Sequence, residues 1–416
     1  MKQIRIMGKN KLTGTISISG AKNSAVALVP AAILSDGIVT ISNIPNISDI
    51  EAIKNILKYL SVTITDQKDQ LKIDSKDLHN KCIPEQLSSK LRASYYFMGA
   101  LLGKFHEVEM YFPGGCTIGA RPIDLHLSGF EALGATITND GNKYMVKAER
   151  LVGTDLYVKH SVGATINLLL ASVLAQGTTT IHDAAREPEI GNVIDLLNSM
   201  GANISGKDTD TLTIEGVEIL SSGNTEVIPD RIEAGTYIIA GALCGDNLTI
   251  ANMNTEHVTA LLEQLQKMGS NLQISATSVT ISQVENLQST AIKTQVYPGF
   301  PTDLQQPMVT LLTTCSGIST MEETIYENRF KNIFYLQTMG AKIEIQDRIL
   351  TIHGGNALTG ATVLATDLRA GASLVLAGLI ADGTTIIDEV EHILRGYDNI
   401  IEKLSNVGAK ISLEEI

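Results

Sequence analysis

The sequence predicts a two-domain α/β protein built from six copies of one unit, and three observations lead to that prediction. The chain has 416 residues, enough for roughly two or three ordinary domains with ample cores. Hydrophobic residues make up 44% of it and charged residues 19%, a balance typical of globular rather than disordered chains. A helix end, a small residue and a short alternating strand return at intervals of about 70 residues.

The recurring segment joins a helix to a strand through glycine. One copy reads Glu131-Ala-Leu-Gly-Ala-Thr-Ile-Thr138, and a degenerate first copy has Ser61 at the glycine position. A glycine just after the last helical turn adopts the left-handed conformation that ends a helix. The alternation of polar and apolar residues that follows predicts a strand with one buried face. The five glycines are Gly134, Gly201, Gly269, Gly340 and Gly408.

Each unit also carries an earlier helix that is apolar on nearly all faces, which predicts burial among neighbouring helices. Clear examples cover residues 164–175, 235–243 and 370–381. Each unit then reads β-α-β-α-β-β over about 70 residues, which is too small to bury its own apolar helix. Three units make one domain and six make two, with a boundary near residues 223–230. A solenoid used for binding is the alternative architecture.

Charge and hydropathy narrow the class of protein. The net charge of −13 argues against a general nucleic-acid binder, although a few local arginines can still hold a small anion. No apolar run reaches the ~18–20 residues of a membrane span, and the N-terminus lacks the apolar core of a secretory signal. The four cysteines form no CxxC pair, which argues against structural zinc. Free thiols without a signal predict a cytoplasmic protein.

The segment 113–122 is the sharpest candidate for chemistry. Its three glycines and two prolines disfavour regular structure and predict an exposed loop. Cys116 within it offers a thiol for proton transfer or nucleophilic attack if its pKa is lowered, and Arg121 could lower it. A surface loop with an incidental thiol is the alternative interpretation.

A set of arginines next to apolar helices is the second candidate. Arginine in apolar surroundings must be paired, and guanidinium groups match the oxygens of phosphate and carboxylate. The set therefore favours an anion site. Asp230 and Asp367 lie close in sequence to two of these arginines, so some structural pairs are also expected. The arginines are Arg92, Arg121, Arg231, Arg369 and Arg395.

Two further residues fit the same chemistry. Lys22 stands at a glycine-containing junction between a strand and a helix, where helix N-terminal amides favour anions. The spacing around it does not match a Walker loop. Asp303 follows a proline turn and on its own is more often a helix N-cap than a base. The histidines have no metal-ligand spacing, so His126 and His392 are expected to be structural.

Taken together, these segments resemble the enolpyruvyl transferases over essentially the whole chain. The cysteine loop and the Lys22–Asn23 pair are the most specific parts. The matching segments are Gly20-Ala-Lys-Asn23, Leu91-Arg-Ala93, the loop 113–122 with Asp124-Leu-His126, Ser161-Val-Gly-Ala-Thr165, Ala184-Ala-Arg-Glu-Pro-Glu189, Pro229-Asp-Arg-Ile-Glu233, Phe300-Pro-Thr-Asp303, Glu327-Asn-Arg-Phe330, Ala365-Thr-Asp-Leu-Arg369 and Arg395-Gly-Tyr397.

The resemblance implies a fold and a reaction. The fold would be two inside-out α/β barrels of three repeats each, covering residues 1–20 plus 230–416 and residues 21–229, with the active site between them. The second domain would carry the cysteine loop. The reaction would move the enolpyruvyl group of phosphoenolpyruvate onto the 3′-hydroxyl of UDP-N-acetylglucosamine and release phosphate, the first committed step of peptidoglycan synthesis. A monomer is expected, with no metal or organic cofactor and no nucleic-acid or membrane partner.

The resemblance also implies roles for individual residues. Cys116 would donate a proton in an addition–elimination reaction and could trap the substrate covalently. Asp303 would be a base or an orienting group, and Lys22 and Arg395 would complete the catalytic set. Phosphoenolpyruvate would be held by Lys22, Asn23, Arg121, Arg369 and Arg395. The sugar nucleotide would be held by Arg92, Arg121, Pro122, Ile123, Asp124, Leu125, Lys159, Ser161, Val162, Gly163, Asp303 and Ile325. Glu187 and Asp230 would line the cleft.

Three departures from the family pattern affect fine geometry only: Leu394, Pro307 and Tyr326. Two rival functions remain. A transferase acting on a shikimate-type acceptor is disfavoured by the Cys116 loop and the Lys159–Ser161 segment. A catalytically silent paralogue kept for binding or regulation is disfavoured by the intact catalytic set.

Overall fold

The chain folds into two compact units, each with its own hydrophobic core. The computed structural model describes residues 2–112 and 123–415. Within these, the first unit contains residues 2–19 and 229–415, and the second unit contains residues 20–112 and 123–228. Helices and strands alternate in both, so the predicted two-domain α/β fold is confirmed.

The strands are short, as expected of β-rich runs bounded by turns. They are β1 (Lys2–Met7), β2 (Leu12–Ser17), β3 (Ile38–Ser42), β4 (Thr63–Gln67), β5 (Gln70–Asp74), β6 (Glu107–Tyr111), β7 (Thr136–Asn139), β8 (Lys143–Lys147), β9 (Asp155–Tyr157), β10 (Thr178–His182), β11 (Asn203–Ser205), β12 (Thr211–Glu215), β13 (Gly223–Glu226), β14 (Gly245–Ala251), β15 (Asn271–Ile274), β16 (Ser278–Ser282), β17 (Ala291–Lys293), β18 (Ile318–Glu322), β19 (Lys342–Gln346), β20 (Ile349–His353), β21 (Thr362–Leu364), β22 (Thr384–Asp388) and β23 (Ile411–Glu415).

The α-helices are α1 (Lys22–Ala32), α2 (Ser48–Tyr59), α3 (Glu85–Ser88), α4 (Tyr96–Phe105), α5 (Asp124–Ala132), α6 (Val162–Ser172), α7 (Pro188–Ser199), α8 (Arg231–Cys244), α9 (Thr259–Lys267), α10 (Gln305–Leu312), α11 (Lys331–Thr338), α12 (Leu368–Ile380), α13 (Glu391–Leu394) and α14 (Ile400–Asn406). Short 3-10 helices cover Arg92–Tyr95, Thr255–Val258 and Thr302–Leu304.

The strands of each unit form small sheets, which are mixed except for the antiparallel sheet of β6, β8 and β7. In the second unit the sheet orders are β13-β3-β5-β4, β6-β8-β7 and β11-β12-β10-β9. In the first unit they are β2-β14-β16-β15, β17-β18-β20-β19 and β21-β22-β1-β23. One arrangement recurs: β3, β10, β14, β18 and β22 each have a parallel neighbour on one side and an antiparallel neighbour on the other.

The apolar helices lie inside the units, as their sequences predict. Nine consecutive residues of α6, Ala164 to Ser172, are buried, which is possible only when every face of a helix meets protein. Helix α4 packs against α6 so closely that a Cβ at Gly99 would lie 2.1 Å from the Asn167 carbonyl oxygen. The predicted spans 164–175, 235–243 and 370–381 correspond to α6, α8 and α12, with ends shifted by a few residues.

The predicted glycine turns are confirmed. Gly134, Gly201, Gly269, Gly340 and Gly408 all have φ between +92° and +104°. Ser61 of the degenerate copy adopts φ of +68° at the same point. Pro307, one of the departures from the family pattern, is accommodated within a helix. It lies in the first turn of α10, where backbone amides have no acceptor within the helix.

Candidate active site

Lys22 begins helix α1 and faces a buried carboxylate of the second unit. Its Nζ lies 2.7 Å from Oδ2 of Asp49 in α2, and the two side chains are 13% and 4% exposed. Ala21 precedes the helix in extended conformation. Lys22 is the first residue of an 11-residue helix, whose N-terminal amides favour an anion. Asn23 follows in the first turn and is half-buried.

His126 joins three segments of the second unit. Asn167 donates from its side-chain nitrogen to Nδ1 of His126 over 2.9 Å, while its oxygen accepts the Gly99 N–H over 2.7 Å. Because Nδ1 accepts, the single N–H proton of the neutral ring is assigned to Nε2. Burial, and then the charge of Arg92, lowers the pKa of His126 to about 4. The ring is neutral at physiological pH, which fits the structural role expected of it.

The turn before α6 meets the same histidine. Ser161 caps the helix by accepting the Ala164 N–H over 3.3 Å, and Lys159 precedes it with φ of +49°. A Cβ at Gly163 would lie 2.7 Å from the Tyr95 hydroxyl oxygen and 3.2 Å from the His126 ring. The small residue is therefore required where this turn meets the aromatic rings.

The structure thus brings together most of the second-unit residues assigned to the sugar nucleotide. The Tyr95 and His126 rings meet edge to face with centroids 4.9 Å apart, and Arg92 begins the short helix that carries Tyr95. His126 lies in α5, whose first residues are Asp124 and Leu125. Ile123 is buried just before them. The segments gathered around the two rings begin at Arg92, Ile123 and Lys159.

Asp303 of the first unit lies between two buried arginines. Its Oδ1 is 2.6 Å from Arg329 and its Oδ2 is 3.0 Å from Arg369, and both guanidinium groups are at most 5% exposed. Burial by itself would raise the pKa of Asp303, but the charges of Arg369 and Arg329 hold it well below its usual range. The carboxylate is therefore ionised at any physiological pH and is a weak proton acceptor.

Several sequence interpretations of the first unit need correction. Asp303 lies inside a 3-10 helix and does not cap it, because the N-cap residue is Pro301. Asp367 does not pair with the guanidinium of Arg369. Its Oδ1 instead accepts the backbone N–H groups of Arg369 and Ala370, both over 2.9 Å, at the start of α12.

Asp230 makes the same kind of cap at α8, accepting the N–H groups of Ile232 and Glu233 over 2.8 and 2.9 Å. The Arg231 guanidinium lies over the Tyr297 ring, 5.6 Å from its centroid, and that of Arg369 lies 5.4 Å from the Tyr397 centroid. The two aspartates close in sequence to these arginines therefore fix helix starts.

The remaining predicted residues fall at the ends of elements. Arg395 is half-buried at the C-cap of α13, and Glu187 is half-buried at the N-cap of α7. Val162 begins α6, and Ile325 follows β18 with its N–H bonded to the Glu323 carboxylate over 2.8 Å. Cys116, Arg121 and Pro122 lie outside the described residues.

Sequence reasoning gave no role to Arg329 or Asp49, which hold two of the predicted site residues. Arg329 belongs to the segment Glu327–Phe330, which resembles the enolpyruvyl transferases. It also precedes the half-apolar helix α11, and a position next to an apolar helix is the feature that identified the other arginines. No sequence feature pointed to Asp49, because an acidic residue in the first turn of an amphipathic helix is ordinarily exposed to solvent.

The described thiols are unsuited to acid–base work. Burial raises the pKa of Cys244 and of Cys315 to about 12, and burial and the charge of Glu109 raise that of Cys82. Within residues 2–112 and 123–415, no three His, Cys, Asp or Glu side chains gather closely enough to hold a metal ion. The same residues include no helix with the length and apolarity needed to cross a membrane.

Comparison with known proteins identifies the family. The family model described as EPSP synthase (3-phosphoshikimate 1-carboxyvinyltransferase) matches residues 6–404. The chain belongs to the EPSP synthase family. The sequence resemblance to the enolpyruvyl transferases is thereby confirmed.

Several curated relatives of this chain carry the same enzyme name. It is 46% identical over 417 residues to UDP-N-acetylglucosamine 1-carboxyvinyltransferase 2 of Geobacillus kaustophilus, covering 100% of this chain and 97% of that protein. It is 48% identical over 414 residues to UDP-N-acetylglucosamine 1-carboxyvinyltransferase of Clostridium botulinum, covering 99% of both. It is likewise 48% identical over 418 residues to the Bacillus subtilis protein named UDP-N-acetylglucosamine 1-carboxyvinyltransferase 2, covering 100% and 97%.

Solved structures of an enolpyruvyl transferase and of an EPSP synthase share the fold. The enolpyruvyl transferase NikO from Streptomyces tendae superposes with a TM-score of 0.89 at 25% identity, covering 99% of this chain and 98% of that one. EPSP synthase from Acinetobacter baumannii superposes with a TM-score of 0.77 over all of both chains. Its 16% identity makes that likeness one of fold alone.

Proposed function

We propose that the protein transfers the enolpyruvyl group of phosphoenolpyruvate to the 3′-hydroxyl of UDP-N-acetylglucosamine and releases phosphate. The observation that carries this proposal is identity of 46–48% over at least 98% of the chain with proteins named UDP-N-acetylglucosamine 1-carboxyvinyltransferase. The reaction is the first committed step of peptidoglycan synthesis, so the protein acts in cell-wall biogenesis.

Phosphoenolpyruvate carries a phosphate and a carboxylate and therefore needs several cations. Lys22 supplies one at the start of α1, where the helix amides add to its effect. Arg395 supplies another at the end of α13. Asn23, Arg121 and Arg369 complete the set by the family match.

The reaction is an addition followed by an elimination. The Cys116 thiol donates a proton to the methylene carbon of phosphoenolpyruvate while the sugar 3′-oxygen bonds to the neighbouring carbon, and the hydroxyl proton is lost. The tetrahedral adduct then loses phosphate and one proton from the new methyl group, which restores the carbon–carbon double bond on the sugar ether. The addition needs an acid for the methylene carbon and a base for the hydroxyl proton, and the elimination needs a base for one methyl proton, so a positioned acid and a positioned base are both required.

Asp303 fits the role of orienting the 3′-hydroxyl. A carboxylate whose pKa is held low by two arginines accepts a hydrogen bond well but removes a proton poorly. It therefore aligns the hydroxyl and takes the proton only as the new carbon–oxygen bond makes that oxygen acidic.

The nucleotide part is assigned to segments of both units. In the second unit these are Arg92, Ile123, Asp124, Leu125, Lys159, Ser161, Val162 and Gly163, with Arg121 and Pro122 by the family match. In the first unit they are Asp303 and Ile325. What supports the second-unit assignment is that three of its segments meet around Tyr95 and His126.

We also infer that the sheets correspond to six β-α-β-α-β-β copies, three in each of two inside-out barrels. The recurring sheet order and the buried helices support this. The unit boundaries at residues 19/20 and 228/229 support domains close to 1–20 plus 230–416 and 21–229. The cytoplasmic location and the monomeric state stay predictions.

Phosphate release by the purified protein tests the proposed function. Phosphoenolpyruvate is supplied with UDP-N-acetylglucosamine, with shikimate 3-phosphate, or with no acceptor. We expect release only with the sugar nucleotide. Release only with shikimate 3-phosphate would favour the shikimate-type transferase, and no release with either acceptor would favour a silent paralogue.

A further inference from the structure

Glu323 lies between the two first-unit segments assigned to the sugar nucleotide, and it has no role in the proposed function. It directly follows strand β18 and is 0% exposed. Burying an ionised carboxylate is costly unless several donors compensate it. Its hydrogen-bond donors include Thr302, next to Asp303, and Ile325, so they show how Glu323 connects these two residues.

The donors to Glu323 come from three segments. Its Oε1 accepts the Thr294 hydroxyl over 3.0 Å and the N–H groups of Ile325 and Tyr326 over 2.8 and 3.1 Å. Its Oε2 accepts the Thr302 hydroxyl over 2.7 Å. One side chain thus ties the turn after β18, which carries Ile325, to the 3-10 helix that carries Asp303.

The Thr302 hydroxyl extends this connection to Asp303 itself. A guanidinium group can only donate, so the Thr302 oxygen accepts from Arg329, whose Nη1 lies 2.7 Å away. The Thr302 proton is then left to point to Glu323. The other terminal nitrogen of Arg329 donates to Asp303 Oδ1 over 2.6 Å. The direction of every hydrogen bond from Glu323 to Asp303 is therefore fixed.

We propose that Glu323 is a positioning residue for the sugar nucleotide, acting through Thr302 and Arg329 on Asp303 and directly on the Ile325 turn. This inference rests on the proposed function. It differs from a purely structural role because it concerns one substrate. Phosphoenolpyruvate is assigned to Lys22, Asn23, Arg121, Arg369 and Arg395, and within the described part of the chain no hydrogen bond of Glu323 or Thr302 goes to these residues. Within the same part of the chain, Arg369 meets the network only at Asp303.

Thr302→Val is the sharpest test, because it keeps the shape of the side chain and removes only the hydroxyl that links Glu323 to Arg329. Both hydrogen bonds of that hydroxyl are lost, and the resulting displacement of Asp303 predicts a dissociation constant for UDP-N-acetylglucosamine roughly ten- to a hundredfold higher. The KM for phosphoenolpyruvate should stay within about twofold of wild type. Calorimetric titration of the sugar nucleotide alone gives the first value, and phosphate release gives the second.

Two further variants separate positioning from folding. Glu323→Gln keeps an acceptor at Oε1 for Ile325 and Tyr326 but places a donor opposite Thr302, so it should weaken nucleotide binding less than Glu323→Ala. Glu322→Gln is the matched control, since that neighbouring carboxylate forms a half-exposed pair with Lys293 at 3.0 Å. The control should leave both substrates unaffected, and the thermal midpoint of each variant reports folding.

The inference is overturned if Thr302→Val binds UDP-N-acetylglucosamine as wild type does, or if the constants for both substrates rise together. A wild-type protein that does not bind UDP-N-acetylglucosamine overturns the proposed function and this inference with it. The two failures are distinguishable, because a failure of the proposed function is already seen with the wild-type protein, whereas a failure of the inference alone appears only in the variants.

Discussion

At the scale of single residues, the candidate site is a set of charges fixed by partners that are distant in sequence. Asp303 is held by Arg329 and Arg369, and Lys22 by Asp49. The sequence predicted the residues of the site by chemistry and family pattern. It misassigned Asp367, which caps α12 instead of pairing with the Arg369 guanidinium, because a sequence neighbour is a poor guide to the partner of a long side chain.

Protonation of His126 should destabilise the folded protein in acid. Its pKa falls from 6.5 to about 4 on folding, because burial and the charge of Arg92 oppose the charged ring. The unfolded chain thus binds more protons between these values, so stability is lost as pH falls from 6.5 towards 4, by up to about 3 kcal/mol. NMR titration of labelled histidine measures the pKa directly. A His126 titration at or above pH 6 would contradict this description.

Cys116 should be the thiol that an epoxide analogue of phosphoenolpyruvate alkylates. Attack requires a thiolate, and the high pKa values of Cys244, Cys315 and Cys82 make those thiols poor competitors. Bound UDP-N-acetylglucosamine should speed the reaction by completing the site. Peptide mass mapping after treatment locates the label. Modification of Cys82 in preference to Cys116 would refute the proposed role of the loop thiol.

At the scale of elements, helix ends were more predictable than strand pairing. The five glycine turns follow from a local requirement, since few other residues adopt φ near +100°. Ser61 shows that the requirement can be met at a cost by another residue. Helix starts were less visible, because α1, α2 and α7 begin without a side-chain cap.

Substituting Gly201 tests the strain at these turns. A Cβ there would meet no atom within 4 Å, so Gly201→Ala changes the backbone preference alone. We expect it to lower the free energy of unfolding by about 1–2 kcal/mol. Gly191→Ala inside helix α7, which Gly201 follows, is the matched control, because its Cβ would meet only the ends of the Lys207 and Asp208 side chains and helix propensity favours alanine. Urea unfolding of both variants gives the comparison, and equal effects would show that the φ value carries no cost.

At the scale of the whole molecule, strands from distant parts of the chain complete the sheets. Strand β1 lies between β22 and β23, pairing Ile4 with Ile387 on one side and Leu413 on the other. Strand β2 is the parallel edge beside β14, and β13 beside β3. The sequence predicted two domains from its repeats. It could not predict these pairings, because the residue pattern of a strand shows which of its faces is buried but not which strand lies beside it.

Lys403 holds the two parts of the first unit together. Its Nζ lies 2.6 Å from Glu233 and donates to Ser19 Oγ over 2.7 Å, which joins α14, α8 and the segment after β2. Removing it in Lys403→Met would leave a buried carboxylate unpaired, at a cost of about 3–5 kcal/mol. The half-exposed pair of Lys293 and Glu322 offers a control: Lys293→Met should lower the free energy of unfolding by less than about 1 kcal/mol.

The cost of Lys403→Met should depend on pH. Burial already raises the pKa of Glu233 to about 7, and loss of the lysine charge would raise it further. The folded variant then binds a proton that the unfolded chain releases above its ordinary value of 4.5, so its stability falls as pH rises. Chemical unfolding at pH 5 and pH 8 should show the larger loss at pH 8. A loss independent of pH would show that Glu233 is not the group left unpaired.

The structure of the reaction product tests the central claim most directly. Purified protein is incubated with phosphoenolpyruvate and UDP-N-acetylglucosamine, and the sugar nucleotide is analysed by mass spectrometry and NMR. The proposed function predicts an enolpyruvyl ether, with two vinyl protons, on the 3′-oxygen of the sugar, and none with Cys116→Ala. Unchanged sugar nucleotide after prolonged incubation, or an enolpyruvyl group attached at another oxygen, would contradict it.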